Sequence, residues 1–310
     1  MAEIDQLRRE QRTRGGGFLW EFRKRGSAAA AAWIAYDHRQ RRLLTEAYVA
    51  HQPSLELPGV ETTIDLHAMT HTVRGVAERF EVRGRLDEGF APLAPLAVLA
   101  PIVPETFEGR ALRTGEVVRR RVLPARVFTQ ESEHDRHFRL AEAQFMRMGG
   151  GHNVVAVDVV MNPTLLRAFE AKQRAFVERD GRDSTILSFH GTTSEANIEN
   201  ILARNFDIGR LAANTGNRGH YGAGIYFSEH ASVAAGYARG QVRKVLLCKL
   251  LVGREYTIGG AHPTGPNPGV GAGLVAGFDS HVVHGTRGTG HEIVIFDDAQ
   301  ILPCYVIHWS

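Results

Sequence analysis

Phe189-His190-Gly191-Thr192, Tyr221-Gly222-Ala223-Gly224-Ile225-Tyr226-Phe227 and Glu292-Ile293-Val294-Ile295-Phe296-Asp297 follow one another in the C-terminal half of the chain. Each sets one polar side chain, His190, Tyr226 or Glu292, in or beside a short apolar run of strand character. The three lie far apart in sequence, so only a folded sheet brings them together. The nearby glycines do not make a dinucleotide-binding turn, which needs G-x-G-x-x-G between a strand and a helix. Gly222-Ala223-Gly224 runs into the strand-like Ile225-Tyr226-Phe227, and Gly269 to Gly273 lies in a Pro/Gly loop without a preceding strand.

Upstream of these segments, His137 to Met148 reads as a helix with Phe138, Ala141 and Phe145 on one face, ending at Gly149-Gly150-Gly151. Val154 to Val160 alternates like a strand. Asn162 is a candidate cap for a second helix that opens at Pro163 and carries Leu165, Phe169 and Phe176 on one stripe. Residues 108–128 carry no decisive pattern; a strand at the start of the C-terminal domain is the expectation. Pro92, Pro95, Pro101 and Pro104 mark an extended linker. From Phe18 to about Leu86 the chain is rich in strand patterns, with Leu43 to Tyr48 readable as a helical turn or a strand. Residues 1–15 are highly charged and lead into Gly15-Gly16-Gly17.

The chain has 310 residues, enough for two domains with separate cores. The hydrophobic fraction of 43% and charged fraction of 23% are those of a globular protein in water. The N-terminus has no apolar core for a secretory signal, and Phe90 to Val103 is too short and proline-rich to span a bilayer. Cys248 and Cys304 are too few for a disulfide framework or a Cys-based zinc site, which fits an intracellular setting, nucleus or cytoplasm. His51, His67 and His71 lack partners at ligand spacing, so no metal is expected. A net charge of +3 with mixed signs does not indicate DNA as a partner. Arg119-Arg120-Arg121 reads as a solvated loop or strand edge rather than a phosphate contact.

The ordered His190, Tyr226 and Glu292 resemble the catalytic domain of the poly(ADP-ribose) polymerase family, whose signature is a His, a Tyr and a Glu on neighbouring strands. Tyr237 and the ending Gln300-Ile301-Leu302-Pro303 add to the likeness, which covers about residues 130 to 308. The resemblance implies an NAD+-dependent ADP-ribosyltransferase that modifies acceptor proteins, with NAD+ as substrate. It implies that His190 hydrogen-bonds the adenine-side ribose and that the Gly191 backbone pairs with the nicotinamide carboxamide, a glycine allowing close approach. Thr192 and Ser232 complete the implied NAD+ contacts, Tyr226 walls the nicotinamide slot, and Tyr237 stacks on the ring. Glu292 would stabilise the cationic sugar and orient the attacking hydroxyl, and its presence favours extension to poly(ADP-ribose). Where the family commonly has a second serine, Ala234 stands here, which removes a hydrogen bond of about 0.5–1.5 kcal/mol. The stretch from about Thr257 to Val282 matches the family's acceptor-side loop. Alternatives are a catalytically weak reader of ADP-ribose and an NAD+ glycohydrolase.

Trp20, Trp33 and Glu46 fall at the spacing of a WWE domain, and Tyr48 and Ile64 to Met69 extend that resemblance. Several WWE domains bind the iso-ADP-ribose unit of poly(ADP-ribose). The implied reader positions are Phe22, Arg25, His71 and Arg79; Phe22 replaces a frequent Tyr, His71 a Gln, and Thr62 another Tyr. The expected fold class is α+β. A small WWE-type half-barrel of strands with a helix precedes an ADP-ribosyltransferase fold of antiparallel sheets with flanking helices. The expected boundaries are a flexible lead-in at 1–17, a WWE-like domain at 18–87, a linker at 88–107 and a catalytic domain at 108–310.

Overall fold

The computed structural model describes residues 18–25, 33–49, 52–57, 62–86, 107–124, 133–210, 219–238, 242–259, 263–283 and 292–310. The lead-in at 1–17 and nearly all of the linker lie outside the described residues, as do His51 and the Gly15-Gly16-Gly17 run. Backbone contacts divide what is described into two units, unit 1 within residues 18–86 and unit 2 within 107–310.

Unit 1 contains β1 (Phe18–Lys24), β2 (Ile34–Ala35), α1 (His38–Val49), β3 (Ser54–Leu57), β4 (Thr62–Asp65), β5 (Thr70–Val73) and β6 (Arg79–Leu86). The strands form one antiparallel sheet in the order β2-β1-β6-β5-β4-β3. Leu43 to Tyr48 belongs to α1. The helix begins at a reciprocal cap: Gln40 N–H donates to Asp37 Oδ1 (2.8 Å) and Asp37 N–H to Gln40 Oε1 (3.3 Å). Leu44 and Ala47 bury one face of α1 with Trp20, Tyr36, Leu57, Ile64 and Val82. The Trp20 indole N–H donates to Thr45 Oγ1 at 3.0 Å, tying β1 to the helix.

Unit 2 opens with α2 (Phe107–Thr114), β7 (Val118–Val122), α3 (Glu133–Arg147), β8 (Val154–Met161) and α4 (Pro163–Asp180). Then come β9 (Thr185–Gly191), α5 (Glu195–Arg204), β10 (Ile225–Phe227), α6 (Ala231–Tyr237) and β11 (Lys244–Leu251). It closes with β12 (Glu255–Ile258), β13 (Ser280–Val283), β14 (Glu292–Ile295) and β15 (Ile301–Trp309). The undecided stretch 108–128 holds most of a helix and then a strand. Asn162 caps α4, its Oδ1 accepting from Thr164 and Leu165 N–H, and Gly181 ends it in the left-handed region at φ 70°.

Two sheets result, β7-β8-β15-β11-β9 and β10-β14-β13-β12. All pairs are antiparallel except β12 with β13, which run parallel. This pair corrects the expected loop from Thr257 to Val282: both residues are register partners inside strands, β12 runs on to Ile258 and β13 begins at Ser280. The apolar core between the sheets joins Leu246, Leu250 and Val306 to Ile225, Phe227, Ile293 and Ile295, with α5 contributing Ile198, Ile201 and Leu202. Phe169 and Phe176 of α4 pack with Leu251 and Leu302 of the first sheet. The arginine run lies on the edge strand β7, where Arg119 and Arg121 pair with Asp158, a carboxylate 1% exposed. Burial pushes the Asp158 pKa up, but bonds from His308, Arg121 and Arg119 outweigh it and hold the carboxyl far below the ordinary range.

Candidate active site

The edge strands of the two sheets, β9 and β10, meet at one point. Phe189 N–H donates to Ser228 C=O (2.7 Å) and Ser228 N–H returns to Phe189 C=O (3.0 Å). The junction floors a cleft of about 1360 Å³ lined by His190, Gly191, Thr192, Tyr226, Tyr237 and Glu292, among others. The structure thus brings these six expected residues to one space. Within the second sheet, Tyr226 is paired with Val294, and Glu292 with Val283 across from it on β13. Paired residues and those two apart share a sheet face, so Tyr226 and Glu292 project from the same one.

His190 is fixed through Nδ1, which donates to the Tyr226 carbonyl at 2.8 Å because a carbonyl only accepts. In the neutral ring this leaves Nε2 as an acceptor. Phe206 meets the ring edge-on at 4.8 Å and Phe227 lies 5.5 Å away. Burial lowers the His190 pKa, the bond to Tyr226 opposing it, so the ring is neutral near pH 7.

The Tyr226 hydroxyl accepts from Tyr221 N–H (2.8 Å) and donates to Gly222 C=O (3.0 Å). It staples the 219–224 turn to β10, a task its sequence context does not announce. Burial raises its pKa to about 12. Glu292 opens β14 half-buried, and Tyr237 Oη donates to its Oε1 over a long 3.4 Å. Tyr237 is 55% exposed, which leaves a broad ring face at the cleft.

Gly191 has a different justification from the expected approach of a planar ligand. A Cβ there would collide with the Ala234 carbonyl oxygen and lie 2.9 Å from its carbon, so glycine is required to seat α6 on β9. Ala234 is buried at that contact and lines the cleft. Ser232 is exposed, its hydroxyl lying toward Gly149 rather than the cleft, so the structure does not bring it to the other six. Thr192 Oγ1 accepts from Asn197 Nδ2 at 3.2 Å. Phe206, Asp207 and Asp298 also line the cleft, and no periodicity or motif marks them.

In unit 1 the four expected reader positions separate into two pairs. His71 is 7% exposed, shares a 2.9 Å hydrogen bond with Tyr36 Oη through Nδ1, and packs with Phe22 and Phe80. Arg25 and Arg79 are exposed and joined by a main-chain bond from Arg25 N–H to Arg79 C=O (2.9 Å). Among the described residues no cluster of three His, Cys, Asp or Glu could hold a metal ion, and no helix is long and apolar enough to cross a membrane.

Residues 138–268 match the poly(ADP-ribose) polymerase catalytic domain, and residues 18–83 match the WWE domain. The first match includes His190, Tyr226 and Tyr237 and stops before Glu292. No curated protein matches the chain. The chain therefore combines a WWE domain with a catalytic domain of the poly(ADP-ribose) polymerase, or ADP-ribosyltransferase, family.

Proposed function

We propose that unit 2 transfers ADP-ribose from NAD+ to protein side chains and extends it to poly(ADP-ribose), releasing nicotinamide. The observation that carries this reading is the single cleft onto which β9, β10 and β14 deliver His190, Tyr226 and Glu292. The bond between the nicotinamide nitrogen and the ribose anomeric carbon breaks. Its electron pair stays on nitrogen and cancels the pyridinium charge. An acceptor oxygen bonds the anomeric carbon and loses its proton to Glu292 or water. His190 Nε2 accepts from a ribose hydroxyl, which needs the neutral ring that burial favours. The Glu292 carboxylate stabilises the sugar cation, and an aimed group of this kind contributes about 10²–10³ in rate. The exposed Tyr237 ring stacks on nicotinamide.

The WWE unit is the proposed contact for ADP-ribose polymer, through Arg25 and Arg79, with Phe22 and His71 supporting the fold from within. An intracellular setting, nucleus or cytoplasm, supplies the NAD+. A catalytically weak reader is favoured by Ala234, which presents no hydroxyl at the cleft. Incubation of the purified chain with labelled NAD+, beside Glu292→Ala and His190→Ala, tests these readings. A high-molecular smear abolished by both substitutions supports the polymerase. Nicotinamide release without labelled protein points to a glycohydrolase. Intact NAD+ and unlabelled protein sink the enzyme reading.

A further inference from the structure

His281 is wholly buried in the second sheet of unit 2 and belongs to no motif. Register places Tyr226, Val294, His281 and Tyr256 in one row across β10, β14, β13 and β12, so His281 projects from the same face as Tyr226 and Glu292. Both of its ring nitrogens are used. Nδ1 donates to the Tyr221 carbonyl at 2.7 Å, and Nε2 accepts from Val275 N–H at 3.1 Å. This pattern admits one state only, the neutral ring with its proton on Nδ1. Phe296 at 4.5 Å and Tyr256 at 5.4 Å enclose the ring.

The two bonds run to different pieces of chain. Tyr221 belongs to the turn that lines the cleft and that Tyr226 staples on its own account. Val275 belongs to the connection between β12 and β13, which reaches the cleft at Gly271. Two main-chain bonds join this connection to the turn, Gly271 N–H to Gly219 C=O (3.0 Å) and Ala223 N–H to Ala272 C=O (2.7 Å). His281 is the side chain that holds both to the sheet. Its loss leaves the turn held by Tyr226 and the start of the connection held by Tyr256, whose Oη donates to Pro266 C=O at 2.9 Å, but removes the acceptor that fixes the connection at Val275.

We propose that His281 is a positioning residue for the acceptor: it anchors the 263–278 segment over the Glu292 face and thereby sets how ADP-ribose partitions between an acceptor side chain and water. The partition claim rests on the transferase reading above. Both routes break the same nicotinamide–ribose bond. Transfer joins an acceptor oxygen to the anomeric carbon with loss of its proton, whereas hydrolysis joins water and releases ADP-ribose and a proton.

The test compares the full chain with His281→Asn and His281→Gln. The Asn amide lies where Nδ1 does and keeps the donor to Tyr221; the Gln carbonyl reaches the place of Nε2 and keeps an acceptor for Val275. Hydrogen exchange at Val275 should quicken about tenfold or more in His281→Asn and little in His281→Gln. The ratio of labelled protein to free ADP-ribose should fall about fivefold in His281→Asn and hold within twofold in His281→Gln. KM for NAD+ should stay within about threefold in both. In the wild-type chain, ¹⁵N spectra should show the Nδ1-protonated neutral ring. Unchanged Val275 exchange in His281→Asn overturns the anchoring. A tenfold rise in KM with an unchanged ratio overturns the acceptor role, because His281 then serves the donor wall. A wild-type chain that releases no nicotinamide sinks the transferase reading and the partition claim with it, while exchange and the ring spectrum still decide the anchoring.

Discussion

Unit 1 and unit 2 each hold a histidine through Nδ1, His71 by the Tyr36 hydroxyl and His190 by the Tyr226 carbonyl. The rings differ in what lies beyond the other nitrogen. His71 Nε2 is buried and meets no hydrogen-bond partner among the described residues, with Phe22 and Phe80 closing the ring in. His190 is only half-buried and borders the cleft of about 1360 Å³. A fixed, neutral imidazole is therefore not the mark of a site here, since both units have one. What distinguishes unit 2 is room for a ligand beside the remaining nitrogen, with a carboxylate on the same space.

The largest expected effect tests that carboxylate. Glu292→Gln keeps shape and the Tyr237 contact but removes the charge. Transfer should fall about 10²–10³-fold while NAD+ affinity changes little, read by nicotinamide release under single-turnover conditions. An activity loss under tenfold would mean that Glu292 borders the cleft without acting on the sugar cation.

The next effect concerns the closed histidine. Burial lowers the His71 pKa to about 4 from the ordinary 6.5. Between those values the unfolded chain binds a proton that the folded unit refuses. Stability from this group is complete above about pH 6.5 and declines by about 3 kcal/mol as pH falls to about 4. Urea titrations followed at the buried Trp20 indole should show this slope in the wild-type chain and lose it in His71→Gln. An equal slope in the variant would show that His71 titrates as it does in water, and the contrast with His190 would collapse.

Legibility followed the same division. The segments around His190, Tyr226 and Glu292 were readable because each pairs an apolar strand with one misplaced polar group. Asn162-Pro163 was readable as a cap because its chemistry is local. The helix α1 was ambiguous at Leu43 to Tyr48, although Asp37 and Gln40 carry the spacing of the cap that starts it. Thr257 and Val282 were hidden because four-residue strands flanking a Gly/Pro-rich stretch give too little alternation, and their parallel pairing is non-local. Ser232 was misplaced because spacing from Tyr226 does not reveal which way a side chain leaves a helix as short as α6. His281 carries no mark in the sequence, because a lone histidine in an apolar strand usually packs; its two bonds exist only after two distant loops arrive.

Gly191→Ala probes the packing beneath the open histidine. The added methyl would meet the Ala234 carbonyl, so α6 must move from β9. A loss of about 2–3 kcal/mol is expected, or several degrees in the unit 2 melting transition followed at Trp309. Since α6 also carries Tyr237, NAD+ binding should weaken in parallel. Full stability with weakened NAD+ binding would restore the ligand-approach explanation for this glycine.

The smallest effect is also the sharpest test of the difference between a cleft and a closed cluster. Ala234 sits on α6 where its carbonyl packs against Gly191, and the residue is 3% exposed. Ala234→Ser adds one oxygen and almost no volume. If the cleft holds nicotinamide against β9, that hydroxyl gains a partner in the carboxamide, and NAD+ affinity should rise by about 0.5–1.5 kcal/mol, or up to tenfold. The gain should appear in KM and not in the rate constant at saturation, because the carboxamide takes no part in bond breaking. If the hydroxyl instead bonds within α6, affinity will not change and stability will move by a few tenths of a kcal/mol. A gain in affinity would place nicotinamide at the β9–α6 contact, and no gain would leave Tyr237 as its main support.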